Sequence, residues 1–291
     1  CPSFMATREE KDSTRGRANA LRSALAGDLP DDAMTSDDMA DVMDLCIQCK
    51  ACKTECPSNV DMAKIKTEWQ HHYWQEHAMP LRERLFAWQP DWAQWISGTP
   101  LASVMNWLGR RAPLRAVGEQ VLGVDAERDV PPFAPQTFRQ WFQGQAWPPR
   151  EPSEPRVVLF ADSFNNYHTP SPLQAAVQFL HATGHRVELP GPRICCGRTL
   201  LSKGQVPAAQ RRALRTVEVL HPYAADGVPI VGLEPSCILT LRDEFLDLLP
   251  GEPRAEAVAD AAYTFEEYVA ERAEAGAFAD AAWNNEPGDV L

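Results

Sequence analysis

Apolar residues recur along the chain in two rhythms, and the change from one to the other divides it. Up to about residue 75 the spacing is helical. Ser13 and Thr14 open a helical stretch that closes at Leu25, Ala26 and Gly27, with Gly27 suited to the left-handed residue that ends a helix. Ser36 and Asp37 can cap a short helix through Met39, Val42 and Met43 that leads to Cys46, and Asp61 can cap another from Met62 through Trp74. Between 80 and 145, Leu81, Leu85, Phe86, Trp88, Trp92, Trp95, Leu101, Val104, Trp107 and Leu108 are interrupted by Pro90, Pro100 and Pro113, which predicts several short helices. Aromatic residues favour burial, so plain core is the expectation for this stretch. The alternative is a surface for a membrane or a quinone.

From Gln145 to Pro155 the chain holds Pro148, Pro149, Pro152 and Pro155 with little apolar content, as an extended linker does. Beyond it, strand-like runs alternate with helical ones. Strands are expected at Arg156–Phe160, Arg186–Leu189 and Val228–Val231, with helices at about Leu173–Ala182, Pro207–Leu220 and Ser236–Leu249. That alternation predicts a mostly parallel α/β sheet. The expected class is therefore α + α/β: a helical unit over 1–75, a helical connector with its Pro-rich linker over 76–150, and an α/β unit over 151–291.

Composition supports folded domains, since 44% of the 291 residues are hydrophobic and 23% charged. A formal net charge of −12 argues against a nucleic-acid partner, because phosphate contacts need clustered Lys and Arg. No apolar run reaches the 18 or so residues of a membrane-spanning helix, so membrane association is expected to be peripheral at most. A reducing cytoplasm, or the inner face of the membrane, fits the eight cysteines better than a disulfide framework does, since the Cys46–Cys56 run is a close-set ligand pattern and Cys195 and Cys196 are adjacent. The opening Cys1-Pro2, with no initiator Met or signal segment, reads as the start of a fragment.

The strongest chemical signal is Cys46-Ile-Gln-Cys49-Lys-Ala-Cys52-Lys-Thr-Glu-Cys56-Pro57. A four-iron, four-sulfur cluster needs four thiolates; Cys-x2-Cys-x2-Cys offers three from one tight loop, and in two-cluster ferredoxins the final Cys-Pro serves the other cluster. Zinc is the competing reading, but zinc sites use two cysteine pairs separated by a longer loop. Cys1-Pro2 has the form of the end of an upstream run. Crossing would join Cys1 to Cys46, Cys49 and Cys52 in one complete cluster and leave Cys56 to a second, completed by upstream residues. The alternatives are that Cys1 is incidental and that Cys46, Cys49, Cys52 and Cys56 form a local cluster.

A second group lies in loops expected at the carboxyl ends of strands, where open α/β sheets place their sites. Cys195 and Cys196 stand in Ile194-Cys195-Cys196-Gly197, and Cys237 in Glu234-Pro235-Ser236-Cys237. Three sulfurs from two loops suggest a metal or redox centre; buried inert cysteine is the other reading. His71, His72 and His77 are expected on a solvated helix face, and His168 follows the first strand as a weaker candidate. No Gly-x-Gly-x-x-Gly opens a helix after a strand, so no dinucleotide fingerprint is present.

The stretches CPSFMATREEKDSTRGRANALR, the 46–57 run, ICCGRTLLSKG and GLEPSCILTLRDEF together resemble the iron-sulfur portion of FAD-linked oxidases acting on D-2-hydroxy acids such as D-lactate or D-2-hydroxyglutarate. Similar layouts occur in the iron-sulfur components of glycolate oxidase and anaerobic glycerol-3-phosphate dehydrogenase and in the Cys-Cys-Gly component of heterodisulfide reductase. The resemblance implies a helical ferredoxin-like [4Fe-4S] domain followed by a Cys-Cys-Gly domain, truncated at both ends, with a second Cys-Cys-Gly copy beyond Leu291. It implies an electron-transfer module that takes electrons from FAD on an upstream flavin domain, in the same polypeptide or a separate one, and delivers them to a quinone or other acceptor. A thiol/disulfide redox module of the heterodisulfide reductase kind is the alternative. Asp162 and Ser163 stand near the place of a first family Cys, and Glu234 takes the first place of a later Cys-x-x-Cys. Those departures weaken an independent cluster at Cys195, Cys196 and Cys237.

Overall fold

The computed structural model describes residues 1–147, 151 and 154–278. It divides into two compact units, one of Cys1–Trp88 with Thr199–Ala208, the other of Gln89–Arg198 with the described residues from Ala209 onward.

The first unit is helical, and its caps are those the sequence supplies. Ser13 accepts a hydrogen bond from the Gly16 N–H at the start of the Thr14–Ala26 helix, and Gly27 ends it at φ 78°. Ser36 caps Asp37–Asp44 through the Met39 N–H, and Asp61 caps Met62–Glu76 through the N–H groups of Ala63 and Lys64. Each such cap satisfies a donor that the first helical turn would otherwise leave open. Leu21, Met39, Met43, Met62 and Trp69 form the core between these helices, and Cys46 and Cys52 pack against it.

The second unit is built on a four-stranded parallel sheet of order β2-β1-β3-β4, with β1 at Arg156–Phe160, β2 at Arg186–Glu188, β3 at Ile230–Gly232 and β4 at Ala262–Thr264. Val157 pairs with Val187, Leu159 with Val231, and Val231 with Tyr263. Strands buried on both faces read as near-continuous apolar runs, as Val157, Val158, Leu159 and Phe160 do. One face packs Val157, Leu159, Val187 and Val231 against Phe138, Leu173, Val177, Leu180 and Tyr268. Because β2 and β3 lie on opposite sides of β1, the connections diverge at the β1/β3 boundary. Sites in open α/β sheets form there, beyond the carboxyl ends of the strands.

Three expectations need correction. The helical run from 236 to 249 is two helices, Pro235–Arg242 and Glu244–Leu248, parted at Asp243. A fourth strand, β4, went unpredicted because three residues carry too little alternation to see. Most large apolar residues of the 80–122 stretch are not core: Trp95 is 75% exposed and Trp107 55%, and Leu81, Phe86, Leu101 and Val104 also face outward. The helices there are only seven to eleven residues long, and small Ala87, Ala93 and Ala102 take the inward positions. Of the expected linker, Pro148, Pro149 and Pro152 lie outside the described residues.

Candidate metal centre

The Cys46–Cys56 run leaves the Asp37–Asp44 helix and re-enters helix at Ala51–Glu55. Gln48 and Lys50 between them adopt φ of 54° and 60°. Side chains rarely sit there, and such strain persists where the surroundings require it, often at a site. The loop is tied down from outside: Gln48 Nε2 donates to Thr67 Oγ1 at 3.1 Å, and the buried carboxylate of Asp61 faces Lys50 and Lys53 at 4.0 and 3.9 Å. At the far end the N–H groups of Val60 and Ser58, joined by that of Asn59, point at Cys56 and hold its thiol below the ordinary range against a smaller push from burial. Backbone N–H groups aimed at sulfur stabilise the thiolate that a cluster requires.

Cys1 enters the same unit through a buried cation. Arg17, 0% exposed, donates from Nη1 to Cys1 Sγ at 3.6 Å and to the Asp12 carbonyl at 2.8 Å, and from Nη2 to Ser3 Oγ at 3.2 Å. Its Nε donates to the Val42 carbonyl at 3.0 Å, on the helix that delivers Cys46. Lys66, 6% exposed, donates from Nζ to the carbonyl oxygens of Asp44 at 2.9 Å and Cys46 at 2.8 Å. Burial lowers the Lys66 ammonium, while Cys46 and Asp44 pull the other way. None of the five cysteines is in a disulfide. Thiols, left-handed loop residues, N–H groups aimed at sulfur and buried cations are the chemistry that an anionic iron-sulfur cluster requires, although the thiols are not gathered about a single point.

In the second unit Cys195, Cys196 and Cys237 are all buried and lie at the carboxyl ends of the strands. Gly197, at φ 78°, turns the chain so that its N–H meets Cys195 Sγ at 3.5 Å while the Arg198 N–H meets Cys196 Sγ at 3.4 Å. Ser163 Oγ donates to Cys195 Sγ at 3.5 Å, and Thr216 Oγ1 donates to the Cys195 carbonyl at 2.9 Å. The three thiols influence one another in the order Cys195, Cys196, Cys237. The interaction with Cys196 and then burial push the Cys195 thiol well up; for Cys196 the interaction with Cys195 pulls down, but that with Cys237 and burial outweigh it. Cys237 is pulled down by Cys196 and raised on balance by burial and by the charges of Asp162, Cys195 and Glu234. Asp162 and Glu234 serve as N-caps, Asp162 for Ser163–Tyr167 and Glu234 for Pro235–Arg242.

The histidines are absorbed locally. His71 Nδ1 lies 3.2 Å from the Gly204 carbonyl, His72 faces Glu68, and His77 stacks on Tyr73. His168 stands between Gln89 Nε2 at 2.5 Å and the Pro132 carbonyl at 3.0 Å. Among the described residues no group of three or more His, Cys, Asp and Glu side chains is disposed to hold a metal ion, the cysteines of either unit included.

Residues 1–61 match the family of 4Fe-4S dicluster domains. Over 152 residues the chain is 28% identical to a component polypeptide of the anaerobic glycerol-3-phosphate dehydrogenase of Escherichia coli, covering 52% of this chain and 38% of the relative. It is 26% identical to D-2-hydroxyglutarate dehydrogenase of Pseudomonas putida, covering 84% and 28%, and 26% identical to that of Escherichia coli, covering 76% and 22%. The chain thus spans less than two fifths of the length of these relatives. No solved structure matches it significantly. The dicluster match covers Cys1 and the whole 46–57 run, as well as Arg17, which reading the sequence passed over. Its signal was a cation in an apolar stripe: Arg17 shares a helix face with Leu21 and Ala24, and Lys66 with Met62, Trp69 and Tyr73.

Proposed function

We propose that the chain is the electron-transfer module of a flavin-dependent 2-hydroxy-acid dehydrogenase, in which the dicluster domain passes electrons from reduced FAD on a separate flavin domain to a quinone or other acceptor. The match of residues 1–61 and the dehydrogenase relatives support an iron-sulfur oxidoreductase component; the hydroxy acid, flavin partner and acceptor belong to this proposal. A bound [4Fe-4S] cluster would supply one-electron transfer. The chain's own residues would hold it, keep it partly out of water and compensate its charge.

One complete cluster would be held by Cys1, Cys46, Cys49 and Cys52, with Cys56 serving a second. The observation that carries this assignment is Arg17, whose single guanidinium spans Cys1 Sγ and the Val42 carbonyl, tying the chain start to the helix before Cys46. Cys56 sits apart in its own turn of N–H donors. After anaerobic reconstitution we expect Cys1→Ser to lose most bound iron and the paramagnetic signal of the reduced cluster, and Cys56→Ser to keep them. The variants also lack Cys195, Cys196 and Cys237, which removes competing thiols. The opposite pattern would assign a local cluster to Cys46, Cys49, Cys52 and Cys56.

The row Cys195–Cys196–Cys237 favours a second role, a thiol/disulfide couple. Two of its thiols would give up two electrons and two protons to an added disulfide oxidant and become one disulfide. Mass spectrometry after alkylation of the unfolded, oxidised protein would find those two thiols blocked; three free thiols there would exclude the couple.

A further inference from the structure

Two cations lie in the interior of an acidic chain, neither of them in an ion pair among the described residues, with the charge of Asp44 acting on Lys66 from beyond pairing distance. Arg17 is fully buried, and every acceptor it reaches is neutral or a thiol: the Val42 and Asp12 carbonyls, Ser3 Oγ and Cys1 Sγ. Asp12 lends its backbone oxygen, while its carboxylate Oδ1 makes no hydrogen bond. Lys66 is buried against two carbonyls, those of Asp44 and Cys46. Among the described residues neither cation makes an ion pair with a carboxylate.

Burying an uncompensated ammonium or guanidinium is strongly unfavourable, so such groups are found paired. Other inward-facing positions of the same helices carry Leu21, Met62 and Trp69, and an apolar residue would complete either stripe without that penalty. What both cations share is a cysteine: Arg17 meets the sulfur of Cys1, and Lys66 grips the carbonyl of Cys46. They approach the proposed ligand set from two helices, at its first and second cysteines in sequence. A four-iron cluster held by four thiolates is net doubly negative when oxidised and gains one further negative charge when reduced, and its potential follows net charge and hydrogen bonding to sulfur. Two positive charges match the oxidised cluster. A fixed cation also favours the reduced state, because it interacts more strongly with the additional negative charge.

We infer that Arg17 and Lys66 are the counter-charges of the cluster held by Cys1, Cys46, Cys49 and Cys52, and that they set its reduction potential. The inference rests on the ligand assignment proposed above. Neither residue is a ligand; both are positioning residues, acting through charge and through the backbone and sulfur atoms they grip.

The test is a reduction titration of the reconstituted full chain, followed by electron paramagnetic resonance, in Lys66→Met, Lys66→Arg, Arg17→Gln and Arg17→Lys. Iron content and circular dichroism are measured alongside. In Lys66→Met and Arg17→Gln the reduced-to-oxidised ratio at a given potential should fall about ten-fold or more, equivalent to about 59 mV for a one-electron couple. Lys66→Arg and Arg17→Lys, which keep the charge, should stay near the native value. A purely structural role predicts that both substitutions at a position disturb the cluster alike. Native iron content with an unmoved midpoint in the neutral variants would overturn the inference. Should Arg17→Gln lose its iron, the Lys66 pair decides the question alone. The ligand assignment is scored separately, by iron retention in Cys1→Ser and Cys56→Ser. If that assignment fails while the midpoint still moves in Lys66→Met but not in Arg17→Gln, the role of Arg17 is refuted and that of Lys66 stands.

Discussion

His168 illustrates how much a single residue's surroundings decide. Its Nδ1 faces the Pro132 carbonyl, which can only accept, so the proton sits on Nδ1; Nε2 then accepts from the Gln89 amide. That arrangement uses neutral imidazole, and burial pushes the His168 pKa below its ordinary 6.5 despite the carbonyls of Pro132 and Pro131. Between the lowered value and 6.5 the unfolded chain binds more protons than the folded one, so stability rises with pH across that window. The contribution is complete above 6.5, is lost as pH falls through the window, and changes no further below it. In His168→Gln we expect the urea midpoint of the second unit to vary less between pH 7.5 and pH 5.5, about one unit either side of that ordinary value. An unchanged pH dependence would show that other groups carry it. The sequence placed His168 in the loop after the first strand, but neither of its partners was readable, because Gln89 and Pro132 are brought to it only by folding. Asp162 caps a helix of five residues, too short to show as a periodic pattern, so the sequence marked it only through the family resemblance, as standing near the place of a first family cysteine.

At the scale of elements, caps and strands with strong local chemistry were legible. Ser13, Ser36, Asp61 and Gly27 each do what their residue types allow, and β1 occupies the expected residues. The Trp-rich helices were misread because burial depends on what packs against a helix, and short helices between prolines turned their alanines inward. Close approach was equally invisible. Gly232, the last residue of β3, lies so near the Pro235–Arg242 helix that an added Cβ would stand 2.8 Å from Ile238 Cβ. That helix carries Cys237, so the glycine sets how near the cysteine comes to the sheet. Gly232→Ala is expected to cost about 1–3 kcal/mol through overpacking, and Ile238→Ala about 2–5 kcal/mol through the cavity it leaves. Ile238→Ala removes Cγ1 and Cδ1, each 3.1 Å from the added Cβ, and keeps the Cβ at 2.8 Å, so the relief is partial and the double variant should be less destabilised than the sum by roughly 0.5 kcal/mol. Denaturant unfolding of the four proteins measures that difference, and simple additivity would mean that the strand end yields freely. Asp61 offers a second check at this scale. It caps Met62–Glu76 and faces Lys50 and Lys53, so Asp61→Ala should destabilise the first unit by about 1 kcal/mol from the cap alone.

For the whole molecule, the division of labour follows from where the chemistry sits. The helical unit and the parallel sheet both present sulfur, and neither carries the glycine fingerprint of a dinucleotide site. In the proposed parent enzyme, hydride removal from the hydroxy acid takes place on the flavin domain, and this chain conducts. Conduction then depends on residues that the substrate never meets. Cys49 is the sharpest point at which to separate the two: it is exposed, it lies in the loop between Cys46 and Cys52, and replacing it by serine changes one atom. Cys49→Ser in the parent enzyme should leave the rate of flavin reduction by substrate within about two-fold of native, because the flavin and substrate groups are untouched. Reoxidation through the acceptor should slow by at least about ten-fold, the scale on which altered metal sites lose function. Stopped-flow absorbance at the flavin band reads the first half-reaction, and acceptor reduction in the same mixture reads the second. Equal slowing of both, in a protein that keeps its native circular dichroism and flavin content, would mean that substrate chemistry and electron transfer share a site, and the modular reading would fall. A loss confined to the second half-reaction places the cysteines of this chain on the path out of the flavin.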